Sequence, residues 1–249
     1  MKDMAAELVA RLNVDTAFTI PIFGGIQIAE SVVISWVVMA VLVLLSLFLT
    51  SGMKVWNPGK RQILAETAVN WLDGFTKDML GPDATEYSEY IATVLLFIGL
   101  SNIMGLFGMK PPTKDMNVTI ALAVMSIVLI EAAGIRRKGG KGWLKSFTQP
   151  IAIVTPINIL EIFIRPLSLC MRLFGNVLGS FVIMELIEMI LPVALPLVFS
   201  MYFDIFDGFI QAYVFVFLTS LFIAEAAEPL MLSEPKKKKR KQKNPSPAA

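Results

Sequence analysis

Residues 165–176 read RPLSLCMRLFGN and place two arginines, Arg165 and Arg172, and one amide, Asn176, inside a long apolar region. A guanidinium stays protonated in a protein. At bilayer depth its charge costs from about 3 to more than ~10 kcal/mol. A chain that keeps such a charge there therefore needs it, either to move ions or to hold a counter-charge.

The composition indicates a membrane protein. The 249 residues are 55% apolar, with a mean hydropathy of +0.68, above the usual composition of soluble domains. We expect an all-α, polytopic integral membrane protein. The single cysteine, Cys170, excludes an internal disulfide, and the absence of histidine removes the commonest metal ligand. We therefore expect neither a metal site nor a cofactor.

Five apolar stretches are long enough to cross a bilayer. The fourth exceeds one perpendicular span, so the last two helices are expected to be long, tilted and joined as a hairpin at Pro192. Residues 60–80 carry apolar side chains at helical spacing, which predicts an amphipathic helix on the membrane surface or against other helices. The predicted spans are approximately residues 31–50, 91–109, 117–135, 147–191 and 192–224.

Loop charges predict the orientation, because cytoplasmic loops carry an excess of Lys and Arg. Basic residues follow the first and third spans and fill the tail, whereas the loop after the second span has only Lys110 and Lys114, offset by Asp115. Residues 1–30 are then an external segment, residues 31–232 form a single membrane domain, and residues 233–249 are a basic, disordered cytoplasmic tail. The tail contacts lipid headgroups and not nucleic acid.

Polar residues in the fourth span recur at spacings of four, three, four, four and three, which places them on one helical face. Glu185 and Glu188 lie on roughly the opposite face, nearer the outer end. For the first two members, Glu161 and Arg165, simple pairing with each other is as good an interpretation as a function. Arg172 has no acid within a turn, so its partner must come from another helix or another subunit. The full stripe is Glu161, Arg165, Ser168, Arg172, Asn176 and Gly179.

The last span carries Asp204, Asp207 and Gln211. Buried aspartates in a membrane need partners or water. With Glu185 and Glu188, these residues are predicted to line a water-filled half-channel that opens to the outside. The alternative is that Asp207 is merely interfacial.

These motifs resemble those of subunit a of bacterial F-type ATP synthases. The resemblance implies an ion-translocating stator subunit with two offset half-channels, in the bacterial plasma membrane, that couples H⁺ or Na⁺ flow to rotation of a c-ring and to ATP synthesis. It implies the peripheral-stalk subunit b and the rest of the synthase as partners, and Arg172 as the arginine that faces the ring carboxylates. The matching motifs are PIN at 156–158, Glu161, RPLSL at 165–169, RLFGN at 172–176, QAYVF at 211–215, Glu228, and Pro112, Thr113 and Asp115 before the third span.

Two positions depart from the family pattern. An acid often stands nine residues after the arginine, where this chain has Phe181. We expect Glu185 or Glu188 to replace it, and the choice between them stays open. Asp204 stands where the family often has His or Glu, seven residues before Gln211, and a shorter acid can keep that role.

Two other classes of function compete with this interpretation. A secondary transporter or channel would bind an anionic substrate at Arg172, but transporters often show internal repeats, and the two halves of this chain share none. An integral-membrane enzyme finds no support, because the sequence has no histidine and no HExxH or GxSxG motif. The chain is then a non-catalytic, ion-translocating subunit.

Overall fold

The computed structural model describes residues 16–20, 26–148, 152–190, 199 and 201–228. Most of these residues are helical, which confirms the all-α class. A two-stranded antiparallel hairpin, β1 (Thr16–Ile20) and β2 (Ile26–Ala29), precedes the first helix and was not predicted. The helices are α1 (Glu30–Thr50), α2 (Lys60–Leu80), α3 (Ser88–Ile103), α4 (Met116–Ser146), α5 (Thr155–Ile190) and α6 (Gly208–Ala227).

Within the described ranges, five helical segments are long and apolar enough to cross a membrane, which confirms a multi-pass protein. The second begins earlier than predicted, because a 3₁₀ turn at Thr85–Tyr87 leads into α3. The fourth begins at Thr155, later than predicted. The predicted turn at Pro192, the tail and most of the N-terminal segment lie outside the described residues. The segments are Glu30–Thr50, Thr85–Phe107, Met116–Ser146, Thr155–Ile187 and Met201–Ala227.

The core lies between α3, α4, α5 and α6. Ile98, Ile130, Leu173 and Phe215, one from each of these helices, are buried in the same cluster. Lipid tails are as apolar as these side chains, so close packing and interhelical hydrogen bonds hold such helices together more than hydrophobic transfer does. By contrast, most of α1 is exposed, and only its Ser31, Ile34 and Val38 are buried.

The predicted amphipathic helix matches α2, which is not among the five apolar segments. It docks on α3 through Ser88, whose hydroxyl lies 2.6 Å from Thr76 Oγ1 and donates to Asp73 Oδ1 at 2.7 Å. Hydrogen bonds from Lys77 and Ser88 hold the pKa of Asp73 below its usual 3.8. Trp71, on the predicted apolar face, remains exposed. The helix therefore presents one face to α3 and another to its surroundings.

Helix α4 is broken at Gly139, whose φ of 70° and ψ of 156° favour glycine over any residue with a Cβ. The chain beyond the break places Trp143 against Gly134, where a Cβ would lie 3.3 Å from the indole ring. The Trp143 indole N–H donates to Glu131 Oε2 at 2.8 Å. This corner encloses a polar cavity described below.

Candidate functional site

Arg172 lies on the outward face of α5. Its side chain is exposed, as are those of Ser168 and Asn176, whereas Leu169 and Leu173 on the other side of the helix are buried in the core. Within the described part of the chain, no hydrogen bond or ion pair engages Arg172. The structure thus leaves this guanidinium available to a group outside the chain.

Arg165 has a different environment. Its guanidinium is largely buried and bonds to Glu161 Oε2 at 2.8 Å and to Glu225 Oε1 at 2.7 Å. It also lies 5.0 Å from the centre of the Phe222 ring. Arg165 therefore pairs with Glu161, as one of the two interpretations expects, and with Glu225 as well. Glu225 was missed, because nothing in the spacing of α6 relates it to a residue 60 positions earlier.

Asn176 and Gln211 meet across the α5–α6 interface. Asn176 Nδ2 donates to Gln211 Oε1 at 2.5 Å. Gln211 is only 2% exposed, and its Nε2 finds no partner among the described residues. One turn further along α5, Ser180 Oγ donates to Asp207 Oδ2 at 3.2 Å. These bonds join the predicted polar face of α5 to that of the last span.

A cavity of about 530 Å³ opens beside this interface, and we call it the outer cavity, after the orientation that the loop charges predict. The predicted Glu185, Asp204, Asp207 and Gln211 all line it. The Glu188 side chain lies outside the described residues, although its backbone belongs to α5. The other polar or charged lining residues are Asn102, Lys110 and Ser180.

Residues from the α3–α4 region complete the outer cavity. Asp204 belongs to a π-helical turn, Met201–Asp207, and its carboxylate lies over Gly105, where a Cβ would stand 2.5 Å from Oδ1. Asn102 Nδ2 donates to the carbonyl of Gly208 at 3.0 Å, and its Oδ1 accepts from Thr113 Oγ1 at 2.8 Å. π-Helical turns occur frequently at functional sites. Neither Asn102 nor Gly105 was predicted, since only packing brings them to the last span.

A second cavity of about 260 Å³ lies at the other ends of α5 and α6, and we call it the inner cavity. Arg172 lies between the two cavities, ~10 Å along α5 from Arg165 and ~12 Å from Ser180 at 1.5 Å per residue. Across the described ranges, no group of three or more metal-ligating side chains could hold a metal ion. The polar lining of the inner cavity is Glu131, Lys138, Trp143, Ser146, Asn158, Glu161, Arg165 and Glu225.

Comparison with known proteins shows which family the chain belongs to. The family model described as ATP synthase A chain matches residues 32–224. The chain is 34% identical over 202 residues to ATP synthase subunit a of Moorella thermoacetica, covering 81% of this chain and 92% of the relative. It is 32% identical over 215 residues to ATP synthase subunit a, sodium ion specific, of Propionigenium modestum, covering 80% and 74%. It is also 33% identical over 204 residues to ATP synthase subunit a 2 of a Bradyrhizobium species, covering 82% and 91%. The chain therefore belongs to the ATP synthase A chain family, whose members are the ion-translocating subunit of the membrane sector.

Proposed function

We propose that Arg172 is the stator charge of a rotary ATP synthase and that the two cavities are the half-channels on either side of it. One observation carries the proposal. The Arg172 guanidinium is exposed without a partner in the described chain, between polar cavities at opposite ends of the same two helices. Each protomer of the facing c-ring would bring one carboxylate to this face.

The electrostatics of such a contact explain how it drives transport. A guanidinium favours the ionised form of a nearby carboxylate. A ring carboxylate that passes Arg172 therefore gives up its ion on one side and takes up another after it has passed. Arg172 also stands between the cavities and blocks a direct leak. Each charge that crosses contributes ~2.3 kcal/mol per 100 mV, and rotation would carry this energy to the catalytic head.

The outer path would use Glu185, Asp204 and Asp207 and end at the bonded amides of Asn176 and Gln211. Carboxylates at this depth are tolerable when they are wet, protonated or paired. The inner path would use the carboxylates around Arg165. Arg165 would hold Glu161 and Glu225 at the wall of that path, because it bonds to both.

The same proposal includes the orientation of the chain, its membrane, its partners and the ion. The charge asymmetry of the loops places the N-terminal segment outside and the C-terminus in the cytoplasm of a bacterial plasma membrane. The partners are the c-ring, the peripheral-stalk subunit b, the remainder of the synthase and membrane lipids. The translocated ion is H⁺ or Na⁺. One relative, from Propionigenium modestum, is named as sodium ion specific. Arg172 lines neither of the two cavities, so the alternative of an anionic substrate held at Arg172 gains no support.

Replacing Arg172 tests the proposal. We expect Arg172→Ala to abolish ATP-driven ion pumping in membrane vesicles, while ATP hydrolysis by the detached head continues. Arg172→Lys is also expected to lose most of the pumping, because the compact ammonium group of lysine does not replace the planar, forked guanidinium of arginine. Arg136→Ala is the control, because that side chain is 72% exposed and outside the stripe. Coupled pumping at the normal rate in Arg172→Ala would refute the assignment.

A further inference from the structure

Lys114 is a buried lysine at the outer end of the molecule. It closes the 3₁₀ turn Pro112–Lys114, between α3 and α4, and is only 7% exposed. Long basic side chains near a membrane boundary normally extend to water. This one turns inward, where the turn packs against α1, α3, α4 and α5.

The ammonium group of Lys114 lies against the outer cavity. Its Nζ is 3.3 Å from the centre of the Phe181 ring, and Phe181 lines that cavity. An aromatic face attracts a cation, more strongly where water is excluded. The ring that this ammonium contacts therefore also forms part of the wall of the space that holds Glu185, Asp204 and Asp207.

The other charged groups at this end also contribute to the electrostatic potential of the outer cavity. Lys110 lines the cavity and lies 3.7 Å from Glu30 of α1. Asp115, next to Lys114, accepts from the Ser31 hydroxyl at 2.5 Å and from the backbone N–H of Asn117 at 2.9 Å. The adjacent ends of α3 and α4 carry no titratable side chain. Among the described side chains around the cavity, three carboxylates thus oppose Lys110 at the wall and Lys114 against Phe181.

We propose that Lys114, behind the Phe181 ring, is a positioning residue that raises the electrostatic potential of the outer cavity and so weakens the binding of a passing cation there. Conduction needs a site that a cation enters readily but also leaves. Three carboxylates around one space would retain a cation, and a fixed ammonium opposes this at short range. The inference rests on the proposed outer path.

The pH dependence of the reactivity of an introduced thiol reports the electrostatic potential of the outer cavity independently of ion transport. Met184, which lines the cavity, is replaced by cysteine in a Cys170→Ala background, within the assembled complex. The rate of reaction with a neutral, hydrophilic methanethiosulfonate is followed against pH, because only the thiolate reacts. We expect Lys114→Met and Lys114→Gln to move the midpoint upward by about half a pH unit or more. Lys114→Arg should leave the midpoint in place, as should Lys60→Met, because the Lys60 side chain is exposed at the start of α2.

Transport gives the second measurement. In Lys114→Met the outside ion concentration at half-maximal transport should fall together with the maximal rate, because the ion binds more tightly and leaves more slowly. A merely structural loss would lower the rate alone.

An unchanged thiol midpoint in both neutral variants overturns the role of Lys114. If the thiol introduced by Met184→Cys is inert at every pH, that role and the wet outer path are overturned together. If the midpoint shifts but the dependence of transport on ion concentration does not change, the cavity is not the ion path. Lys114 then still acts electrostatically on the cavity.

Discussion

At the scale of single residues, the outer cavity depends on a close approach between two segments distant in sequence. The Asp204 carboxylate occupies the space that a side chain at position 105 would fill. A Cβ there would stand 2.5 Å from Asp204 Oδ1 and 2.9 Å from its Cγ, so any side chain at position 105 would displace this carboxylate. Gly105 thus helps to define the position of an acid proposed to carry ions.

Gly105→Ala is expected to displace the Asp204 carboxylate and to slow ion translocation by up to about 100-fold, because a misplacement of about 1 Å can cost that much. Asp204→Asn should also slow translocation without disrupting assembly, because the amide keeps the size but loses the exchangeable charge. The measurement is ATP-driven pumping by the complete synthase in vesicles.

Gly99→Ala is the matched control in the same apolar span, because a Cβ there would meet Phe209 at 3.8 Å, an ordinary contact. Pumping at the normal rate in both Gly105→Ala and Asp204→Asn would show that the ion path does not pass this carboxylate.

At the scale of elements, α2 is attached to α3 by few polar contacts. The buried hydrogen bond between Thr76 and Ser88 contributes about 1 kcal/mol. Ser88 also donates to the exposed Asp73. Because folding lowers the pKa of Asp73 below 3.8, its contribution is present above that pH and fades as the pH falls below it. The polar part of the attachment is therefore concentrated at Ser88.

We expect Ser88→Ala to increase amide hydrogen exchange in residues 60–80 by ~5-fold, the ratio that corresponds to ~1 kcal/mol of local stability. Exchange in α4 and α6 should stay unchanged. Thr67→Val is the control, since the Thr67 hydroxyl bonds only to the carbonyl of Ile63 in its own helix. Equal exchange in Ser88→Ala and the unmodified protein would mean that apolar contacts alone hold α2.

At the scale of the whole molecule, the two cavities lie at opposite ends of α5 and α6, so their assignment as outer and inner depends on the orientation in the membrane. Phe107, at the end of the second span, is 69% exposed, and Leu144, beyond the break in α4, is 66% exposed. The loop charges predict that Phe107 faces outside and Leu144 the cytoplasm.

Cysteines at these positions, in a Cys170→Ala background, test the orientation with a membrane-impermeant thiol reagent. Phe107→Cys should be labelled in intact cells, and Leu144→Cys only in inverted vesicles. The background protein, labelled in parallel, controls for other thiols. The opposite pattern would exchange the roles of the two cavities.

The order of residues along the chain was enough to predict the all-α class, the five apolar spans, the bounds of α2 and the polar stripe of α5. These features depend on helical periodicity and local composition, which are local properties of a chain. The sequence already separated Arg165, which has an acid one turn away, from Arg172, which has none. It did not predict the second partner of Arg165, because only tertiary packing brings Glu225 of α6 to Arg165 and leaves Arg172 exposed. Likewise, only packing brings Gly105 to Asp204 of the π-helical turn and Lys114 to Phe181 of α5, because no spacing along the chain encodes which helices become neighbours.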